Sequence, residues 1–421
     1  MTRVLIIGGG LGGLCLAQGL RRAGVSCAVY ERDHKLDARL QGYRINIEAT
    51  GSDALQACLP PALWRIVVAT AGDPGPGLGV FDHHLRRLAH IGSEDRTADG
   101  EHAVSRLTLR RLLLAGLDDL VHLGKEFTHY EQHDDGTVTA HFADGSSATG
   151  DLLVGADGSR SRVRRQLLPN ARTVDTQAIG VGGKVPLTPQ TSAWLPPTLL
   201  AGKNMMLPDQ GFLFTAVFRR RQTVSEAVEQ VADDLRTLGV DPEILLAEAA
   251  DYDYLMWAYV AHRDSVPPDV TTMSSDTLRN VVADRARTWH PDLYRLVGAA
   301  APNSVSAFTF SAAAPLQPWP AGPVTLLGDA VHHMPPVGGL GGNAALHDAA
   351  LLCQVLSGGR PSESALADYQ RQMLSHGFAA VSESMRNVRV AVQGRPARSA
   401  VRAFFRTCGA LPPLQRAVLG S

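Results

Sequence analysis

The tightest constraint on this chain comes in its first thirteen residues, where Val4-Leu5-Ile6-Ile7 runs straight into Gly8-Gly9-Gly10-Leu11-Gly12-Gly13. A short apolar run closed by glycine reads as a buried strand of a parallel sheet. Leu14, Ala17, Gln18 and Leu20 then fall at helical spacing, and Gly24 stands where a helix would end. A second strand, Val25 to Tyr30, ends on Glu31. Strand, G-x-G-x-x-G (Gly8, Gly10, Gly13), helix, strand, and an acid about 20 residues further on make a dinucleotide-binding fingerprint. Gly8 provides the tight turn, Gly10 lets a pyrophosphate approach the backbone, and Gly13 lets helix and strand pack closely. Glu31 would accept from ribose hydroxyls. The pattern sets a Rossmann-like opening and leaves NAD and FAD equally open.

Two later stretches repeat the arrangement of a buried strand ending on an acid. Leu152-Leu153-Val154 leads to Asp157-Gly158, and Val324 to Leu327 leads to Gly328-Asp329. Open α/β sheets bind ligands at the carboxyl ends of their strands, so both carboxylates suit sugar hydroxyls. After Asp329, Pro335-Pro336 sets an extended turn and Gly338, Gly339, Gly341 and Gly342 form a glycine platform. From Asn343 the spacing of Leu346, Ala350 and Cys353 is helical, which aims a helix amino terminus at whatever the glycines approach. His332-His333 lies in this loop without metal-ligand spacing.

The middle of the chain differs in texture. Ile45 and Ile47 alternate with polar neighbours as in a half-buried strand, and Gly79–Phe81 and Arg87–Ile91 look like strands of another sheet. Arg106 opens a helix, where the dipole disfavours a cation unless an anion such as a cofactor phosphate or a surface carboxylate is close. Strand-like segments at Ile179–Val185, Gly211–Phe218 and Tyr254–Val260 flank one polar helical stretch, Thr223 to Glu248. The expected fold is α/β, a Rossmann-like dinucleotide-binding domain with an inserted, mostly antiparallel β-sheet domain and a C-terminal helical segment. The expected boundaries are 1–180 and 276–355 for the cofactor domain, 181–275 for the insert and 356–421 for the tail.

Composition limits the partners. With 40 basic and 41 acidic residues the net charge is −1, so no footprint for nucleic acid or an acidic membrane is visible, and the arginines from 160 to 165 read as a solvated face. The five cysteines, Cys15, Cys27, Cys58, Cys353 and Cys408, show no C-x-x-C spacing, which points to a reducing compartment rather than to disulfides or zinc. With no signal-peptide pattern and no apolar run of about 20 residues, a cytoplasmic protein is expected, as monomer or homodimer.

In this order, Gly8-x-Gly10-x-x-Gly13 with Glu31, Asp157-Gly158, Gly328-Asp329 and the Pro335-Pro336 glycine loop resemble the flavoprotein monooxygenases of the para-hydroxybenzoate hydroxylase family. The stretch from Glu31 through Arg39 to Ile47 also resembles tetracycline-modifying members. The resemblance implies FAD as the bound cofactor, with NADPH or NADH as a transient reductant and no separate fold for it. It implies that Gly8, Gly10, Leu11, Gly12 and Gly13 hold the pyrophosphate and that Glu31 and Arg32 lie at the adenosine ribose. Arg39 and Arg106 would lie near the phosphates or flavin, Asp157 would serve FAD and the reductant, and Asp329 would bind the ribityl chain. Pro336, Gly339, Leu340, Gly341, Gly342 and Asn343 would face the isoalloxazine ring; many members carry glutamine where Leu340 stands. The implied reaction is flavin reduction, O2 capture as a C4a-(hydro)peroxyflavin, and oxygen transfer to an aromatic ring. The cofactor does that chemistry, so no side chain is singled out as catalytic.

The strand Pro208–Phe218 resembles the one lining the substrate pocket, with Phe218 where the benzoate enzymes carry an arginine. A neutral, fairly large aromatic or polycyclic substrate is therefore expected, lined by Met205, Phe212, Phe214, Phe218 and Trp257. Oxidase, reductase or Baeyer-Villiger chemistry and a flavin-binding partner without turnover stay open; a halogenase is disfavoured because its Trp-x-Trp-x-Ile-Pro signature is absent.

Overall fold

The computed structural model describes residues 2–34, 44–92, 100–246, 252–392 and 395–411. Its strands begin with β1 (Arg3–Ile7), β2 (Ser26–Tyr30), β3 (Arg44–Ile47), β4 (Leu78–Asp82), β5 (Arg87–Ile91) and β6 (His102–Ser105). They continue with β7 (Val121–His122), β8 (Phe127–Gln132), β9 (Val138–Phe142), β10 (Ser147–Gly150), β11 (Leu152–Gly155) and β12 (Thr173–Pro186). The last are β13 (Lys203–Leu207), β14 (Phe212–Phe218), β15 (Tyr254–His262), β16 (Ser306–Ala313) and β17 (Val324–Leu326).

Five strands form a parallel sheet in the order β17-β11-β1-β2-β7. Val4, Leu5, Ile6, Leu153 and Val154 are wholly buried, as a sheet covered on both faces requires. Because β17, β11, β1 and β2 are neighbours, the four motif ends read from the sequence emerge side by side. Gly328-Asp329, Ala156-Asp157, the Gly8–Gly13 turn and Glu31 all lie at one carboxyl edge.

The second sheet has seven strands, β16-β12-β15-β14-β13-β4-β5, antiparallel except where β13 meets β4. It draws in residues 78–91 and 306–313 as well as parts of the 181–275 stretch. One face buries Leu213, Val217, Trp257 and Tyr259 against the helices Ser275–Ala286 and Pro291–Gly298. The other carries Phe212, Val260 and Phe310 and is met by Val388, Ala391 and Phe405 of the C-terminal helices. The described part of the 223–248 stretch, 223–246, is three short helices, Val224–Glu229, Ala232–Thr237 and Pro242–Leu246, the last two separated by Gly239 (φ +72°) and Pro242.

An antiparallel ribbon, β3 with β6, lies between the two layers, and β8, β9 and β10 form a separate sheet with a turn at Asp144-Gly145. The long helix Glu363–Val392 packs on the 340–356 helix and on β12, so the tail is part of the site's wall. No helix among the described residues is long and apolar enough to cross a membrane.

Candidate cofactor and substrate site

The glycine turn is built by close approach. A Cβ on Gly8 (φ +115°) would lie 2.3 Å from the Ala156 carbonyl oxygen, and one on Gly13 would lie 2.2 Å from the Gly8 carbonyl oxygen. A Cβ on Gly10 would meet nothing within 4 Å, so that side of the turn is open. The helix Leu11–Arg22 starts there with no side-chain cap and no acid in its first turn. Its free N–H groups and partial positive charge fit a pyrophosphate. Leu11 and Gly12, both buried, can offer only backbone.

Glu31 is buried and already engaged. Its carboxylate accepts from Gly9 N at 2.7 Å and Asp33 N at 3.0 Å, so it braces the turn besides facing the ribose position. Arg110 joins this cluster, donating from Nε to the Gly9 carbonyl at 3.2 Å with its guanidinium 3.9 Å from Glu31. Arg106 is exposed at the start of the helix Arg106–Leu114, one turn before Arg110 and on the same side. The sequence pattern points to Arg106, and the i, i+4 spacing that puts Arg110 beside it is the signal for the second arginine. Arg32 is exposed, and Arg39 lies outside the described residues.

Asp157 turns inward more than its motif suggested. Oδ2 accepts from Arg162 N at 2.7 Å and Val163 N at 3.3 Å, tying down the start of the helix Arg162–Leu167. Its Oδ1 is buried without a partner among the described residues, and burial pushes the carboxyl up despite those bonds. Arg164, expected on a solvated face, is buried. It donates to the Ala330 carbonyl at 2.8 Å and the Ser159 carbonyl at 2.7 Å, strapping the second acid turn to the third. Asp329 stays exposed, its carboxylate free to meet a sugar chain.

Below Asp329 lies a group that the sequence did not disclose. His332 is no loop residue: it ends the short helix Asp329–His332, is fully buried, and meets Asp348 through Nε2 at 2.7 Å. Asp348, also fully buried, accepts from Gly328 N at 2.7 Å, with His376 Nε2 2.9 Å from its other oxygen. Burial opposes both charges, yet their mutual attraction holds the Asp348 carboxyl below its usual range and the His332 imidazole above its own. The signal is a lone carboxylate within the apolar 344–352 stretch of the 340–356 helix.

The glycine platform carries the second uncapped helix. Gly339 takes a left-handed φ of +77° as N-cap, and the helix Leu340–Leu356 begins at Leu340, three residues before the expected Asn343. No acid lies in its first turn, so backbone N–H groups of Leu340, Gly341 and Gly342 remain for an electronegative ring edge. Asn343 is buried and ties this helix to the β3 ribbon: Oδ1 accepts from Glu48 N at 2.9 Å and Nδ2 donates to the Asn46 carbonyl at 2.9 Å. Ser384 donates to the Pro335 carbonyl at 2.6 Å, while Pro336 is exposed. Two acid-free helix starts, a carboxylate beside each and glycines between them are what an FAD laid from β1 to Gly339 requires.

Val337, beside the platform, packs against an apolar cluster on one face of the seven-stranded sheet, and strand parity sorts the candidate lining residues. Met205 and Phe214 are paired and half-buried, beside half-buried Met256 and Phe308. Phe212 shares their face but is buried under the C-terminal helices. Phe218, also on that face, is buried against Ala103 and Tyr254 beneath the ribbon. Trp257 corrects the expectation outright: it pairs with Thr215, on the opposite face, and is wholly buried in the other core. One residue of register decides which face a side chain reaches. Elsewhere, cross-strand pairing of His129 with His141 brings Glu131 into a three-residue cluster that spacing could not reveal; the two rings stack in parallel.

Comparison with known proteins adds the following. A family model for an FAD binding domain matches residues 260–384, and one for an NAD(P)-binding Rossmann-like domain matches residues 6–57. The chain is 30% identical over 404 residues to the FAD-dependent monooxygenase cctM of Talaromyces islandicus, covering 91% of each protein. It is 32% identical over 381 residues to the dual O-methyltransferase/FAD-dependent monooxygenase elcB of Phaeosphaeria nodorum. That match covers 84% of this chain but 40% of elcB, so the chain spans less than half the length of that relative. The crystal structure of a Photorhabdus luminescens protein assigned as an FAD-containing monooxygenase superposes with a TM-score of 0.80 at 33% identity. The superposition covers 93% of this chain and 98% of that one.

Proposed function

Because the chain belongs to the FAD-dependent monooxygenases of the aromatic-hydroxylase family, we propose that it hydroxylates a fairly large, uncharged aromatic or polycyclic compound, consuming NAD(P)H and O2. The observation that carries this reading is the pairing of the glycine platform with an apolar wall. Val337, next to the 338–343 backbone, packs against the same apolar cluster as Met205, Phe214 and Phe308, which with Met256 are half-buried positions of the sheet. FAD, reduced by the nicotinamide, supplies the activated oxygen. The protein's own residues do the rest. The Leu11 helix start and Arg110 hold the pyrophosphate end, and Asp329 holds the ribityl chain. The Leu340 helix start fixes the ring edge, and the sheet lays the substrate against it and excludes water. One parallel sheet with one glycine fingerprint accounts for one dinucleotide, which supports a reductant that visits rather than resides. The relatives cctM and elcB, named as monooxygenases, support oxygen transfer over plain oxidation.

The test is anaerobic. The purified protein should carry FAD, and NADPH or NADH should bleach its visible band faster when a polycyclic aromatic is bound. A protein that holds FAD but is reduced by neither nucleotide, with or without ligand, would overturn the proposal and leave a binding role.

A further inference from the structure

The small sheet β10-β9-β8 gathers side chains that the proposed reaction does not use. Tyr130 of β8 and its partner Ala140 of β9 turn into the core, so the alternate positions His129, Glu131 and His141 share the other face. A bulge sets their register. Phe127 pairs with Phe142 and His129 with His141, which leaves Thr128 as an extra residue on β8. Without it, His129 would stand opposite Ala140 and no imidazole would lie across the ladder from it. With it, the two rings stack, their centroids 4.5 Å apart and their planes 6° from parallel.

The same bulge sets which nitrogen of His129 carries a lone pair. The Thr128 hydroxyl donates its one proton to the His141 carbonyl at 3.0 Å. Its oxygen, 3.1 Å from His129 Nδ1, therefore accepts from that ring, which puts the proton of the neutral imidazole on Nδ1 and the lone pair on Nε2. His129 Nε2 lies 3.9 Å from one Glu131 oxygen, and His141 Nε2 lies 3.5 Å from the other. His141 Nε2 is buried and has no hydrogen-bond partner among the described residues. One ligand atom from each of the three residues falls within 4.8 Å of the others. His133, two residues past Glu131, is diverted: its Nε2 is 2.8 Å from Thr139 Oγ1, itself 2.8 Å from Thr149 Oγ1. The backbone behind the cluster is held as well. Gln166 accepts from Tyr130 N at 3.0 Å and donates to the Tyr130 carbonyl at 2.7 Å, which fixes the residue between His129 and Glu131.

From this geometry we propose that His129, Glu131 and His141 form a binding site for one Zn2+ ion, which clips β8 to β9. Two neutral imidazoles and one carboxylate suit an ion of borderline softness, whereas Mg2+ and Ca2+ take oxygen donors. Zinc–nitrogen bonds of about 2.0–2.1 Å require the three ligand atoms to draw together by a small turn of their side chains. His129 and Glu131 are exposed and free to make that turn; half-buried His141 is the ligand held most firmly. Water takes the fourth position. Thr128 is a positioning residue, acting through His129 Nδ1 as the outer partner of a metal-bound imidazole does. The ion's role is to stabilise this corner of the cofactor domain. It ties the edge strand β8 to β9, and Gln166 joins that strand to the helix Arg162–Leu167, whose start Asp157 anchors.

Calorimetric titration of ZnCl2 into the untagged, FAD-loaded protein, first freed of metal by dialysis against a chelator, tests this directly. The wild type should bind one Zn2+ per chain, and excess Mg2+ should not displace it. Thr128→Val removes only the hydroxyl that orients His129 and should weaken binding by about 10–100-fold. Loss of a ligand costs at least as much, so His129→Ala and His141→Ala should each weaken it by about a hundredfold or more. His133→Ala should bind as the wild type does. Zn2+ should raise the melting temperature of the wild type and leave that of His141→Ala unchanged. FAD content and the zinc-free melting temperature show that each variant is folded. No Zn2+ binding by the wild type, wild-type affinity in folded His129→Ala and His141→Ala, or displacement by Mg2+ would overturn the assignment.

Discussion

Replacing Asp348 by alanine should loosen both the fold and the cofactor. The wild-type carboxylate accepts from Gly328 N and lies at 2.7 and 2.9 Å from His332 and His376. Removing it leaves a fully buried His332 and a backbone N–H without their acceptor. Breaking a buried charged pair from one side costs about 3–5 kcal/mol. At about 2.1 cal/mol/K per residue, a chain of this length has an unfolding entropy near ~0.9 kcal/mol/K, so the melting temperature should drop by about 3–6 °C. The pH dependence has a definite sign. Asp348 has a depressed folded pKa, so its contribution is present above roughly pH 4 and is lost as pH falls through the lower folded value. His332 has a raised folded pKa, so its contribution is complete below roughly pH 6.5 and is lost as pH rises through the higher folded value. The gap between wild type and variant should therefore be widest between roughly pH 4 and 6.5. Because Gly328 N is released beside Asp329, FAD should also dissociate faster. Differential scanning fluorimetry across pH, with FAD fluorescence as a second readout, measures both. A melting temperature within about one degree of wild type throughout that window would refute the reasoning.

Three further outcomes follow from packing. Gly13→Ala would set a methyl group within 2.2 Å of the Gly8 carbonyl oxygen, so little FAD should copurify; a wild-type flavin-to-protein ratio would contradict this. Trp257→Ala empties a wholly buried site and should cost about 3–5 kcal/mol in urea unfolding. Phe214→Ala, at a half-buried wall position, should instead weaken substrate-stimulated NADPH use while leaving FAD content intact. FAD loss from Phe214→Ala would place that ring in the structural core.

Features readable in the sequence were local ones. Gly8, Gly10, Gly13 and Glu31 show their role through spacing alone, because a strand, a tight turn and a helix impose it within thirty residues. Asp157 and Asp329 were placed at strand ends for the same reason, although Asp157 spends one oxygen on a helix start rather than on a ligand. What escaped was everything set by pairing between distant segments. Trp257 and Phe214 differ in face by one residue of register between β14 and β15, which periodicity in either strand cannot fix. Asn46 and Glu101 meet only because β3 pairs with β6, and Asp348 meets His332 and His376 only when three helices converge. Arg164 looked like surface charge within an arginine run, yet its guanidinium is used up on buried carbonyls.

The central claim is oxygen transfer to an aromatic ring, and NADPH consumption in air by the FAD-loaded protein tests it most directly. The rate is measured with and without polycyclic phenols while hydrogen peroxide is quantified. Strong stimulation by a phenol with little peroxide, and a product heavier by one oxygen atom, is the expected result. Stimulation with one peroxide formed per NADPH, or no stimulation by any such compound, would contradict it.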